Sequence, residues 1–294
     1  MWIFTELFPD YTVAVVVCGS VLLGIAAGVC GTVVFVRKEN LLSDAVSHGC
    51  LPGIVLGFII AGAKHPSALL LGGFVSAFLT VGFVRLARSS VSVKFDSALA
   101  LGVSISFGIG IVLLTSVQSG GAAGQAGLDR FLFGQASAMS SGDVKTIFFT
   151  GAVCSGALAV FWKQVKIFCF DSEYAVSAGF RTRAAGFFLN TVLVSTIVVG
   201  IETVGVILMC SMLVAPAVAA RHLTDKLGMM VTAAAVTGAL GGAAGSLASW
   251  KIAKLPTGPA IVICVTAAAL LSMLFSRKNG LLARSSHGGG GERE

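Results

Sequence analysis

The sequence predicts an all-α, polytopic integral membrane protein. Of its 294 residues 56% are hydrophobic and only 11% are charged, where soluble domains run near about 25% charged. Several apolar runs reach the roughly 20 residues that a helix needs to cross the hydrocarbon core. Most Lys and Arg lie in short segments between those runs, as membrane topology requires. The net charge of +7 is therefore read as an orientation signal, and no nucleic-acid partner is expected.

The spans follow in order. The first is Val13 to Val36, where Gly24 and Gly28 form a G-x-x-x-G step suited to close helix packing. Arg37-Lys38-Glu39-Asn40 ends it. The second covers Asp44 to Ala63, the third Ser67 to Leu86 and the fourth Ser97 to Val117. A Gly-, Ser- and Ala-rich segment follows, with a short interfacial helix expected at Leu128 to Gly134. The fifth span is Val144 to Trp162, then a polar connection over 163–183. Ala184 to Ile201, Thr203 to Ala220, Met229 to Trp250 and Pro259 to Phe275 complete nine spans. If the short sixth and seventh form one bent helix, the count is eight.

With nine spans the loops alternate sides. Fifteen of the twenty Lys and Arg then share the side of Arg37 and Lys38, against Lys64, Arg130, Lys145, Lys251 and Lys254 on the other. The positive-inside rule puts the larger set in the cytoplasm. The expected layout is an extracytoplasmic N-terminus at 1–12, a transmembrane domain at 13–275 and a disordered cytoplasmic tail at 276–294, basic and then Gly-rich. No secretory signal is expected, because Met1 to Asp10 holds no Lys or Arg. The seven cysteines form no C-x-x-C pair and mostly lie inside apolar runs, so they read as small core residues.

The chemistry concentrates in Leu41-Leu42-Ser43-Asp44-Ala45-Val46-Ser47-His48-Gly49-Cys50-Leu51-Pro52-Gly53. On a helix, residues four apart share one face a turn apart, so Asp44 and His48 stack. An Asp at mid-bilayer costs about 2.5–3.5 kcal/mol on insertion scales and usually faces a water-filled path or a partner. Oxygen and imidazole donors suit Mn(II), Fe(II) or Zn(II). Two ligands are too few for a tight site but suffice for a transient one, the more so if a second copy adds two. Pro52 cannot bond the carbonyl of His48, so a kink is expected there. The plainer alternative is that Asp44 caps the second helix or pairs with Arg37, and that His48 bonds a neighbouring helix.

Two other places carry candidates. Asp171-Ser172-Glu173-Tyr174-Ala175-Val176-Ser177-Ala178-Gly179 reads as a short helix, with acids at its positive end and a glycine stop. It could dock on a soluble partner or be an ordinary interfacial helix. Glu202 stands between two apolar spans, as an outer-mouth ligand or, the preferred reading, as the acid of a plain loop. Met209, Cys210 and Met212 are read as core. No G-x-x-x-x-G-K-[ST], G-x-S-x-G or H-E-x-x-H pattern occurs, so neither a nucleotide-binding nor a hydrolase site is expected in this chain.

Leu41 to His48 followed by Leu51-Pro52-Gly53 resembles the signature of the membrane permeases of bacterial manganese/zinc/iron ABC importers. Thr203 to Leu208 running through Leu213-Val214-Ala215-Pro216-Ala217 to Arg221, Leu223 to Gly228 and Leu255 to Pro259 resemble it too. The resemblance covers about Ala26 to Phe275 and implies a type II ABC importer-like permease in the bacterial cytoplasmic membrane. It implies transport of a divalent Mn, Zn or Fe ion with no permanently bound cofactor. It also implies a second permease subunit, identical or paralogous, a cytoplasmic ATP-binding dimer that uses the ATP, and an extracytoplasmic metal-binding protein. Asp44 and His48 take the metal-contact role by this resemblance, and Asp171, Glu173 and Gly179 the coupling-helix role; Glu202 takes none. The rival readings are a gradient-driven secondary metal transporter, a permease for a metal chelate and a structural membrane subunit.

Overall fold

A computed structural model of the chain describes residues 10–62, 65–90, 94–119, 136–252 and 255–276. Among these residues the secondary structure is helical throughout. In chain order the helices are α1 (Tyr11–Val36), α2 (Asn40–Ala61), α3 (Pro66–Ser90), α4 (Phe95–Ser119), α5 (Ser141–Val160), α6 (Trp162–Phe170), α7 (Ser172–Ser177), α8 (Thr182–Val204), α9 (Val206–Leu223), α10 (Leu227–Lys251) and α11 (Thr257–Phe275), with one 3₁₀ turn at Ala136–Ala138. Nine of these helices are long and apolar enough to cross a membrane.

Outward faces stay apolar, as at Leu71, Leu79, Val112, Phe149, Leu240 and Ile263. A helix that is hydrophobic all round belongs in a large core or a bilayer. With lipid outside, nothing but close packing and polar contacts holds such helices together. Glycines supply the close packing. A Cβ on Gly24 or Gly28 would run into the α10 carbonyls of Gly238 or Ala234, and one on Gly242 into that of Ser20 on α1. The G-x-x-x-G step of the first span thus seats α1 against α10. Gly53 of α2 and Gly72 of α3 meet in the same way, each in the path of the other's Cβ. Buried hydroxyls find acceptors one turn back in their own helices: Ser20 to Val16 O at 2.7 Å, Thr32 to Gly28 O at 2.8 Å and Ser47 to Ser43 O at 2.8 Å.

The structure refines four expectations. The second span begins at Asn40, not Asp44, so Leu41 and Leu42 already belong to the helix. It also runs unbroken through Pro52 to Ala61; Ser76 Oγ on α3 donates to Gly49 O at 2.7 Å beside the proline, so a neighbouring helix serves backbone that the proline disturbs. The 163–183 connection holds two helices, α6 and α7. Val165 is buried in α6 while Lys163 and Lys166 line the outer cleft next to α7. Finally, the sixth and seventh spans are separate, as the count of nine expects, but the break lies at the single residue Gly205, φ 85°, a conformation that a glycine adopts without steric penalty. The helix expected at Leu128 to Gly134, the first nine residues and the tail beyond Ser276 lie outside the described residues.

Candidate metal site

Asp44 and His48 sit in the first half of α2. With about 1.5 Å of rise per residue, Asp44 lies about 6 Å and His48 about 12 Å from the helix start at Asn40. His48 Nε2 is 3.4 Å from Asp44 Oδ1, and the side chains are 26% and 48% exposed, respectively. Donors each about 2.0–2.2 Å from a zinc-sized ion sit roughly 3 Å apart, so only a small adjustment separates this pair from a shared cation. The imidazole stands edge-on to Phe107 of α4, ring centroids 4.9 Å apart. Its Nδ1 is buried without a hydrogen-bond partner, which leaves Nε2 as the nitrogen facing the carboxylate.

The plainer roles for these two residues do not hold. Glu39, not Asp44, is at the N-cap of α2. Arg37 pairs with Glu39, Nη2 to Oε1 at 2.8 Å. His48 meets its neighbour helix through an aromatic edge. The residue that sequence reading missed is Cys210 on α9, whose thiol donates to Asp44 Oδ1 at 3.5 Å. Met209 and Met212 are fully buried as expected, but Cys210 is only partly so. Its position 166 residues from Asp44 left no local signal to find it. Both contacts fall on Oδ1, so Oδ2 can turn toward an ion. Among the described residues no group of three or more His, Cys, Asp or Glu is gathered to hold a metal. One chain offers a pair of ligands, not a cage.

The coupling candidates are built by local rules. Asp171 is the N-cap of α7 and accepts from Tyr174 N at 2.8 Å. Glu173 lies in the first turn, near the positive end of the helix. At the other end Gly179 adopts φ 79°; its N–H bonds Val176 O at 3.0 Å and Phe180 N–H bonds Ala175 O at 2.9 Å. This is a Schellman closure. Tyr174 and Val176 are 58% and 60% exposed, while Ala175 is buried, so among its described side chains α7 rests on one small residue and shows the others outward.

Glu202 lies in the last turn of α8, within the helix rather than in a loop. Since α8 starts at Thr182, just past α7, Glu202 stands at the opposite end of that helix from α7. The structure does not bring it to Asp44 and His48.

Residues 10–276 match the family described as the ABC 3 transport family. The zinc transport system membrane protein TroC of Treponema pallidum is 37% identical over 277 residues, 94% of this chain and 93% of TroC. The manganese transport system membrane protein MntC of Bacillus subtilis is 38% identical over 270 residues, 92% of this chain and 62% of that longer one. Among solved structures, PsaBC from Streptococcus pneumoniae in complex with Fab superposes with a TM-score of 0.82 at 25% identity, covering 94% of this chain and 96% of that one. On these grounds, and with a helical bundle and an acid–imidazole pair in the matched region, the chain belongs to the ABC 3 transport family.

Proposed function

We propose that the chain is the permease subunit of an ATP-driven importer of divalent transition-metal ions, manganese, zinc or iron, in the bacterial cytoplasmic membrane. The observation that carries the reading is the Asp44–His48 pair, two donors 3.4 Å apart on a half-exposed face of α2. The relatives are named for zinc and manganese transport, which agrees with oxygen and nitrogen donors of intermediate softness. A pair completed across a two-fold by a second permease subunit gives a site strong enough to receive an ion and weak enough to release it. The N-terminus is placed outside and the C-terminus in the cytoplasm by the charge asymmetry of the loops.

In this reading an extracytoplasmic metal-binding protein delivers the ion. A cytoplasmic ATP-binding dimer engages α7 through Asp171, Glu173 and the exposed Tyr174, with Gly179 fixing its end. ATP binding and hydrolysis there rock the two permease subunits about the fixed pair. The test is uptake of radioactive manganese or zinc by Asp44→Ala and His48→Ala variants expressed at wild-type level. A loss of at least tenfold is expected from each, and unchanged uptake would remove the pair from the pathway. Uptake that persists after ATP depletion but collapses with the proton gradient would instead select a secondary transporter.

A further inference from the structure

The three residues joining α1 to α2 form a compact joint. Glu39 N–H donates to Val34 O at 3.1 Å and Lys38 N–H to Phe35 O at 3.0 Å, the pattern of a Schellman closure. Lys38 holds the left-handed position at φ 58°, where glycine is usual. Arg37 and Glu39 bracket it with their 2.8 Å ion pair, the side chains 13% and 20% exposed. At that depth the pair is screened much less than one at the surface.

The Arg37 guanidinium has a second contact. It lies 5.2 Å from the ring centroid of Phe168, inside the roughly 6 Å range of a cation–π interaction. Phe168 belongs to α6, which runs directly into α7. The ring also approaches Gly186 of α8, where a Cβ would stand 3.6 Å from Phe168 Cζ and 3.4 Å from Arg85 Nη2. Arg85 in turn meets the Oδ1 of the buried Asn190 at 2.8 Å. Phe168 therefore touches both the α1–α2 joint and the start of α8. Glu39 is the N-cap of the helix that carries Asp44 and His48.

We propose that Arg37 is a positioning residue that couples α6–α7 to the metal-bearing helix, touching one through the Phe168 ring and the other through the Glu39 carboxylate. Displacement of the docking element by the ATP-binding subunit then reaches α2 through one side chain. A planar guanidinium can stack on a ring and hold a carboxylate together, which an ammonium on a flexible stem does poorly. Arg37→Lys keeps the charge and tests the geometry; Phe168→Leu removes the ring and leaves the ion pair.

The inference rests on the permease reading, and its experiment separates the two. The whole complex, with ATP-binding subunits and delivery protein, is reconstituted in proteoliposomes, and ions moved per ATP hydrolysed are measured. Arg37→Lys and Phe168→Leu should keep basal hydrolysis yet lower that ratio at least fivefold. The double variant should be no worse than either single one, and Phe168→Trp should restore the ratio. A merely structural role would lower the yield of complex, not the ratio per complex. Variants that assemble and keep the wild-type ratio overturn the joint. A wild-type complex without ATP-dependent uptake overturns the permease reading itself.

Discussion

The candidate metal pair and the candidate docking helix are held in place by opposite means. Asp44 and His48 sit inside a 22-residue helix, and the groups that touch them, Phe107 and Cys210, come from α4 and α9. The helix itself is seated on α3 by glycines in backbone contact. By contrast α7 has six residues, a cap from Asp171 at one end and a left-handed glycine at the other, with Ala175 its only buried side chain among those described. A site that must hold a small ion in register needs a rigid frame around it. An element that must meet another protein needs a defined shape and an open surface, and its own ends can supply both.

If that contrast is right, the two regions should fail differently. The largest effect is expected at Gly53→Val, where a side chain would strike the backbone of Gly72. Overpacking of this kind costs about 1–3 kcal/mol or more, and the thermal midpoint of the purified protein should fall sharply. Gly108→Val, with nothing within 4 Å, should leave it near wild type; an equal fall in both would break the packing account. Next comes Gly179→Ala. Space around it is open, so the penalty is only that of the left-handed conformation, about 1–2 kcal/mol. Affinity for the ATP-binding subunit should drop roughly five- to thirtyfold, as that cost implies, while the midpoint of the bundle hardly moves.

A smaller effect is expected at Cys210. Removing a hydrogen bond typically costs about 0.5–1.5 kcal/mol, and a thiol is a weak donor, so Cys210→Ala should shift the KM of metal uptake by about twofold. Cys210→Ser, which keeps a donor, should shift it less. An Ala variant with unaltered KM would show that α9 merely neighbours the pair. The smallest change is Lys38→Gly. Relief of the left-handed strain, about 1–2 kcal/mol, is partly offset by the backbone entropy of glycine, about 0.5–1 kcal/mol. A slight rise in thermal midpoint is expected, and a fall would mean that the Lys38 side chain contributes something the backbone does not reveal.

The same contrast explains what could be read without coordinates. Features decided within a few residues were legible. The apolar runs announced the spans, Asp171 and Gly179 marked the ends of α7, and the i, i+4 spacing stacked Asp44 on His48. The boundary between the sixth and seventh spans was the weak point because both are short and nearly contiguous, and it falls at Gly205 rather than between Ile201 and Thr203. Features decided at a distance were not legible. Nothing near Cys210 says that its thiol reaches Asp44, and nothing near Phe168 says that Arg37 covers it. The start of α2 was misjudged because Asn40 and Ser43 bracket only two apolar residues and read with the polar turn, although the helix already begins at Asn40, its first turn closed by Leu42 N–H to Glu39 O at 2.9 Å. Glu202 was read as loop because a carboxylate between apolar runs resembles a boundary, and the helix simply extends past it to Val204.

The glycine seam between α1 and α10 bears on how such a bundle can move. Two helices whose carbonyls lie where side chains would otherwise stand cannot slide or roll past each other without prising the backbones apart. They form a spine. Bending is then left to thinner places, and the lone glycine between α8 and α9 is one of them: a single pivot on the line between Glu202 and the Cys210 thiol that touches Asp44.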